Sequence, residues 1–234
     1  MRLAAEGATV AVNYRRDEEA AATTVADIEA AGGTAKAYQA SIDSWDEDKA
    51  MVEAVLADLG AVDILVNNGG IASRGLKVAD TDPAELERVV RTHAIGPHFL
   101  SKLVLPSMRT RPRGDIVMIS SVATNVHSAN GAPYNMGKAA QEALALTLAK
   151  EERDNGIHVN IVAPGLVATD MGDRLARAIA GVQSAAELDK SSPFGRVCRP
   201  DDVADVVLFL VSEAAGYLTG QRIEVDGGGM TSRF

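Results

Sequence analysis

The chain has 234 residues, 47% of them hydrophobic but only 4% aromatic, and a formal net charge of −9. That length suits one α/β domain over residues 1–234 rather than two, and a core of Ala, Val, Leu and Ile suits a parallel sheet under close-packed helices better than an aromatic-rich sandwich. The acidic balance, with no Lys/Arg stripe to neutralise phosphates, argues against a nucleic-acid partner.

Met1–Gly7 reads as the last turns of a helix stopped by Gly7. Strand-like apolar runs then alternate with helical patterns: strand Thr9–Tyr14, helix at about Asp17–Ala30, strand Ala35–Ser41, helix at about Asp46–Leu59 and strand Ile64–Asn67. A long helix at about Pro83–Met108, opened by Asp82-Pro83, leads to strand Asp115–Ser120. The basic cluster Arg109 to Arg113 between them, broken by Pro112 and followed by Gly114, reads as a solvated turn. A helix at about Pro133–Asn155, strand His158–Ala163, a helix at Pro200–Leu210 and strand Gln221–Val225 complete the order. Leu166–Pro193 is the least regular stretch and is expected to be a mobile segment beside the site. Strands separated by whole helices imply crossover units, hence an α/β, doubly wound, mostly parallel, Rossmann-like sheet.

The single cysteine, Cys198, cannot form an internal disulfide and reads as a bland loop thiol, which suits a reducing cytoplasm. No window reaches the length of a membrane span and no signal-peptide core is present, so a cytoplasmic location is expected, with no membrane partner. His93, His98, His127 and His158 lack ligand spacing with one another or with Cys198, so no metal site is expected.

In a doubly wound fold a helix such as Met1–Gly7 follows a first strand and a glycine-rich turn. No Gly-x-Gly-x-x-Gly opens a helix anywhere in the chain. Met1 is therefore expected to be an internal methionine or a boundary, with a strand missing between Thr9–Tyr14 and Ile64–Asn67. Each buried backbone group left unpaired there costs about 1–3 kcal/mol, against a total stability of only ~5–15 kcal/mol.

The chemistry concentrates at strand ends. Tyr134 and Lys138 stand four apart at the start of a helix and so share a face. An ammonium beside a phenol is expected to lower the Tyr pKa from its free value near 10, giving an acid/base for a carbonyl oxygen. Alone, the pair is better read as an ordinary helix face with a snorkelling Lys. Ser121 closes the buried strand before it, where open α/β sheets bind ligands, although Ser120 and Ser121 can also cap the next segment. Asn67-Asn68-Gly69-Gly70 follows another strand, its glycines letting backbone approach a ligand, and Pro164-Gly165 with Thr169 follows a third.

Together with Asn135-Met136-Gly137, Asn160 to Ala163, Asp170-Met171 and Tyr217-Leu218-Thr219-Gly220, these residues resemble the short-chain dehydrogenase/reductase family over essentially the whole chain, nearest the 3-oxoacyl-acyl-carrier-protein reductase type. The resemblance implies hydride exchange between NADP(H) and a carbonyl or secondary alcohol. Tyr134 would be the acid/base, Ser121 would orient the substrate oxygen, and Lys138 would hold the nicotinamide ribose. Asn67, Gly69 and Gly70 would lie along the adenosine, Ser41 and Ile42 against the adenine, and Pro164, Gly165, Val167 and Thr169 against the nicotinamide. Tyr14 stands where an acidic residue would bind an NAD ribose, and Arg15 after it suits a 2′-phosphate, pointing to NADP. The competing reading of Arg15-Arg16 is a solvated pair balanced by Asp17-Glu18-Glu19.

Two departures stand out. The family usually has Asn where this chain has His93, its carbonyl holding a water of the proton relay. Pro97, four residues on, has no N–H to give that carbonyl, so the relay can survive; otherwise His93 is a packed core histidine and the relay is broken. If the chain is native from Met1, the absent glycine-rich turn is expected to leave cofactor binding weak or absent, and the alternative function is a catalytically silent relative acting as a binding or subunit partner. The resemblance also implies a homodimer or homotetramer packed through the helices at Pro83–Met108 and Pro133–Asn155. In the latter, Ala139, Ala140, Ala143 and Ala145 permit close approach. Asp226–Phe234 is a candidate for reaching a neighbouring subunit.

Overall fold

The computed structural model describes residues 1–229. Residues 230–234, the end of the segment expected to reach a neighbour, lie outside the described residues.

The short helix α1 (Arg2–Ala5) precedes β1 (Thr9–Tyr14), α2 (Glu18–Ala30), β2 (Thr34–Gln39), α3 (Trp45–Leu59) and β3 (Ile64–Asn67). Then come α4 (Pro83–Val90), a π-helical turn over Arg91–Ile95, α5 (Gly96–Met108), β4 (Gly114–Ile119), α6 (Ala123–Val126), α7 (Ala132–Glu152) and β5 (Ile157–Pro164). α8 (Asp170–Ala180), α9 (Pro200–Leu210) and β6 (Arg222–Val225) complete the described order. Side-chain caps set several starts: the carboxylate of Asp17 accepts from Ala20 N at 3.0 Å and that of Asp82 from Ala84 N at 2.9 Å. Gly60 ends α3 at φ 83°, a conformation that costs a side chain but not glycine.

All ladders are parallel, in two sheets: β1–β2, and β3-β4-β5-β6 in that spatial order. Among the described residues β1 and β3 do not pair. Exposure follows. β4 is buried at every position, while β1 alternates exposed with half-buried residues and Ile64 to Val66 of β3 are half-buried. The side-chain alternation of a strand splits the core in two. Ile116, Met118, Val159 and Ile161 face a cluster with Val52 of α3, Leu100 and Val104 of α5 and Leu148 of α7. Val117, Ile119 and Val162 face Val207 and Leu210 of α9. Helices therefore cover both faces, and the parallel strands send their carboxyl ends to one rim. Ile42, just beyond β2, packs against the main core cluster and would meet a Cβ placed on Gly69 beyond β3, so the two sheets share that rim.

Two expectations need correcting. Leu166–Pro193 is not irregular: it holds α8 and a 3₁₀ stretch over Ala185–Ser191. Thr169 caps α8, its Oγ1 accepting from Gly172 N at 3.1 Å, and Gly181 ends it in the left-handed conformation. Pro83–Met108 is not one helix. The π turn interrupts it where Pro97 withholds its N–H, with Gly96 N reaching back to Arg91 O. No helix among the described residues is long and apolar enough to cross a membrane.

Candidate active site

The strand ends bring Arg15 (after β1), Ser41 and Ile42 (after β2), Asn67 (on β3), Ser121 (after β4) and Pro164 and Gly165 (β5) to the rim. α7 adds Tyr134 and Lys138 from its first two turns. The Ser121 side chain lies close enough to the Tyr134 phenol to lower its pKa, and Ser121 Oγ accepts from Ala123 N at 3.2 Å. The capping role and the site role thus coexist in one side chain.

Lys138 departs from expectation. Its side chain is buried, not snorkelling, and Nζ donates to the carbonyl of Ile119 and to Gln141 Oε1 at 3.1 Å. It lies 6.0 Å from the Tyr134 ring centroid. Tyr134 is consequently not made more acidic: burial pushes its pKa above 10.0, and the Ser121 side chain only partly opposes this. Burial brings Lys138 itself down to about 7, with the Glu142 charge working the other way. At neutral pH the site therefore presents a neutral phenol and an amine close to its midpoint.

His93 is 1% exposed and stands edge-on to Tyr134, with ring centroids 5.1 Å apart. Its Nε2 meets both the Ile71 carbonyl, at 2.7 Å, and Ile71 N, at 3.3 Å, two contacts that call for opposite tautomers, while Nδ1 is buried with no partner. Burial, then Lys138, hold its pKa down at about 4, so the ring is neutral. His93 thereby ties the loop after β3 to the π turn. This packing holds both positions to glycine: a Cβ on Gly69 would lie 2.6 Å from Ile42 Cδ1, and one on Gly70 2.7 Å from His93 Cε1. Gly137 is held the same way, since its Cβ would lie 2.9 Å from that of His93.

The remaining candidates occupy the rim with local duties. Arg15 is exposed, and its carbonyl accepts from Gln39 Nε2 at 3.2 Å. Ser41 Oγ donates to Asp43 Oδ1 at 2.6 Å, and Ser41 N to Glu47 Oε2 at 2.8 Å. Val167 bridges to Cys198, and Gly165 N donates to Val225 O at 3.0 Å. Burial pushes the Cys198 thiol up to about 11, which fits an unreactive loop cysteine. A cleft of about 390 Å³ flanks the first turns of α7, lined among others by Val78, His127, Asn130 and Met136. Tyr134, Ser121 and Lys138 do not border it, so it is not where reacting atoms would meet.

Comparison with known proteins gives the lineage. The family model described as Enoyl-(Acyl carrier protein) reductase matches residues 1–230. The chain belongs to the short-chain dehydrogenase/reductase family. It is 36% identical over 228 residues to the 3-oxoacyl-[acyl-carrier-protein] reductase FabG of Staphylococcus aureus, covering 97% of this chain and 90% of the relative. A 3-oxoacyl-[acyl-carrier-protein] reductase of Synechocystis matches at 35% over 229 residues, covering 97% and 89%. An uncharacterized oxidoreductase of Bacillus subtilis, YmfI, matches at 33% over 227 residues, covering 97% and 90%. As a short-chain dehydrogenase/reductase, the chain is an oxidoreductase.

The dinucleotide such enzymes use can be tested against the residues present. Two of the three N–H donors of a charged Lys138 are engaged, leaving one for a ribose hydroxyl. Both polar side-chain atoms of Asn67 are buried without a partner on the same rim. Lys138 on the ribose side and Asn67 on the adenosine side both fit.

Proposed function

We propose that this chain reduces a ketone, with 3-oxoacyl thioesters as the leading substrate class and NADPH as the hydride source. The observation that carries the reading is the placing of Ser121, at the end of a buried strand, where it acts on the Tyr134 phenol, with Lys138 buried one turn further along α7. When bound, the reduced dinucleotide would supply the hydride. Everything else falls to the chain's own groups. Ser121 and Tyr134 offer two hydroxyls to one substrate oxygen, and a phenol that stays protonated above its usual range is a proton donor rather than a base at neutral pH. Lys138, near its midpoint at neutral pH, can return a proton to the phenol side of the site.

NADP rather than NAD is supported by exposed Arg15 directly after β1, whose fork suits a phosphate. Self-association belongs to the same proposal: α7 leaves Met136 53% and Leu146 43% exposed, with Ala139 and Ala143 exposed between them. Light scattering giving a dimer or tetramer mass would support it.

The test follows the loss of reduced-nicotinamide absorbance with a panel of simple ketones and short 3-oxoacyl thioesters. Faster turnover with NADPH than NADH, reversed by Arg15→Glu, is expected. Absence of turnover with either cofactor across the panel would refute the reading and favour a silent binding or subunit partner.

A further inference from the structure

A second polar cluster supports the same rim from behind, and no step above uses it. Glu142 lies on α7 one turn beyond Lys138, with its side chain 15% exposed. Its Oε1 accepts from Ser120 Oγ, from Thr124 Oγ1 at 2.9 Å and from Arg222 Nε at 3.0 Å. Arg222 projects from β6, 20% exposed, and its Nη2 donates to the Ser121 carbonyl at 3.2 Å and to Thr124 Oγ1 at 2.9 Å. Its Nη1 donates to Glu224. β6 pairs with β5 and not with β4, so this guanidinium carries a contact from β6 past β5 to the segment after β4.

We infer that Arg222, clamped by Glu142, is a positioning residue: its planar fork fixes the Ser121 carbonyl and thereby the hydroxyl that Ser121 presents to Tyr134. Two donors in a rigid plane suit the carbonyl and hydroxyl they meet, a geometry that a lysine's single ammonium does not reproduce. The clamp joins the elements that carry the reacting groups. Ser120 and Ser121 follow β4, Glu142 shares the α7 face of Tyr134 and Lys138, and Arg222 closes the connection. The inference rests on the proposed reading only in taking Ser121 and Tyr134 as the reacting groups.

The experiment needs a readout that a merely structural ion pair would not move. Protein labelled with 3-fluorotyrosine, whose phenol is more acidic than tyrosine's, reports the Tyr134 titration by fluorine NMR, assigned by the signal lost in Tyr134→Phe. The Ser121 side chain is what opposes burial at Tyr134, so loosening Ser121 raises that titration. Arg222→Met is expected to shift it upward in the same direction as Ser121→Ala. Its kcat/KM is expected to fall on the order of tenfold or more, mainly through kcat, as misplaced reacting groups do. Arg222→Lys, which keeps the charge beside Glu142 and serves if Arg222→Met does not fold, should shift the titration too. A Tyr134 titration unchanged in both variants, whatever their melting temperatures, would overturn the inference. If the wild type turns over no carbonyl substrate, the functional reading fails while the titration still decides the positioning role.

Discussion

Asp48 offers a test of the fold's electrostatics that needs no substrate. It sits in the first turn of α3, fully buried, with neither carboxyl oxygen hydrogen-bonded. Burial, followed by the charges of Asp43 and Glu47, raises its pKa from 3.8 to about 7. Folded Asp48 thus keeps its proton to about pH 7, whereas an unfolded aspartate releases it near 3.8, and between those values the native state binds the extra proton. Its contribution is fully present below the unfolded value and is lost as pH rises through the folded one. Integrating between pH 5 and pH 8 gives a loss of roughly 2.5 kcal/mol. Asp48→Asn removes the titrating group at nearly constant shape. Urea unfolding at both pH values should show the wild type losing that amount relative to the variant. The subtraction also removes the opposing effect of His93, whose depressed pKa favours the folded state as pH rises through the same window. Parallel pH dependences for the two proteins would refute the argument.

Other outcomes follow from named contacts. Gly70→Ala places a methyl 2.7 Å from His93 Cε1, an overpacking worth ~1–3 kcal/mol, and His93→Ala should recover most of it in a double-mutant cycle read by denaturation. Glu152 is 2% exposed and is held below its ordinary pKa by the forked contact with Arg109 and by Asn155. That stability exists above the unfolded carboxyl value and fades as pH falls through the folded one. Arg109→Met should therefore melt lower than wild type at neutral pH and converge with it in acid.

Much of this was legible because the signals were local. Thr9–Tyr14 and Ile64–Asn67 are short apolar runs between helical patterns, and the structure keeps their bounds unchanged. Pro97 announced an opened turn, but not whether the helix would kink or take an extra residue as a π turn. α8 was missed although Met171, Leu175 and Ile179 recur four apart, a helical spacing, and in the fold Leu175 and Ile179 stay 49% and 68% exposed. Thr169 and Gly181 would have bracketed it by capping alone. The site residues came to one rim as expected, yet their electrostatics did not. Helical spacing places Lys138 beside Tyr134, while the carbonyl of Ile119 and Gln141, distant in sequence or unremarked, draw its ammonium aside. Glu142 and Arg222, eighty positions apart, share no sequence pattern that would pair them.

The account depends most on Tyr134 giving its proton to a carbonyl that receives hydride at the same site. Supplying NADPH deuterated at the transferable position, with a 3-oxoacyl thioester, and weighing the alcohol product tests this directly. The wild type should place the deuterium on the carbinol carbon, and Tyr134→Phe should form no such product at neutral pH. A product without deuterium, or an undiminished rate in Tyr134→Phe, would contradict it.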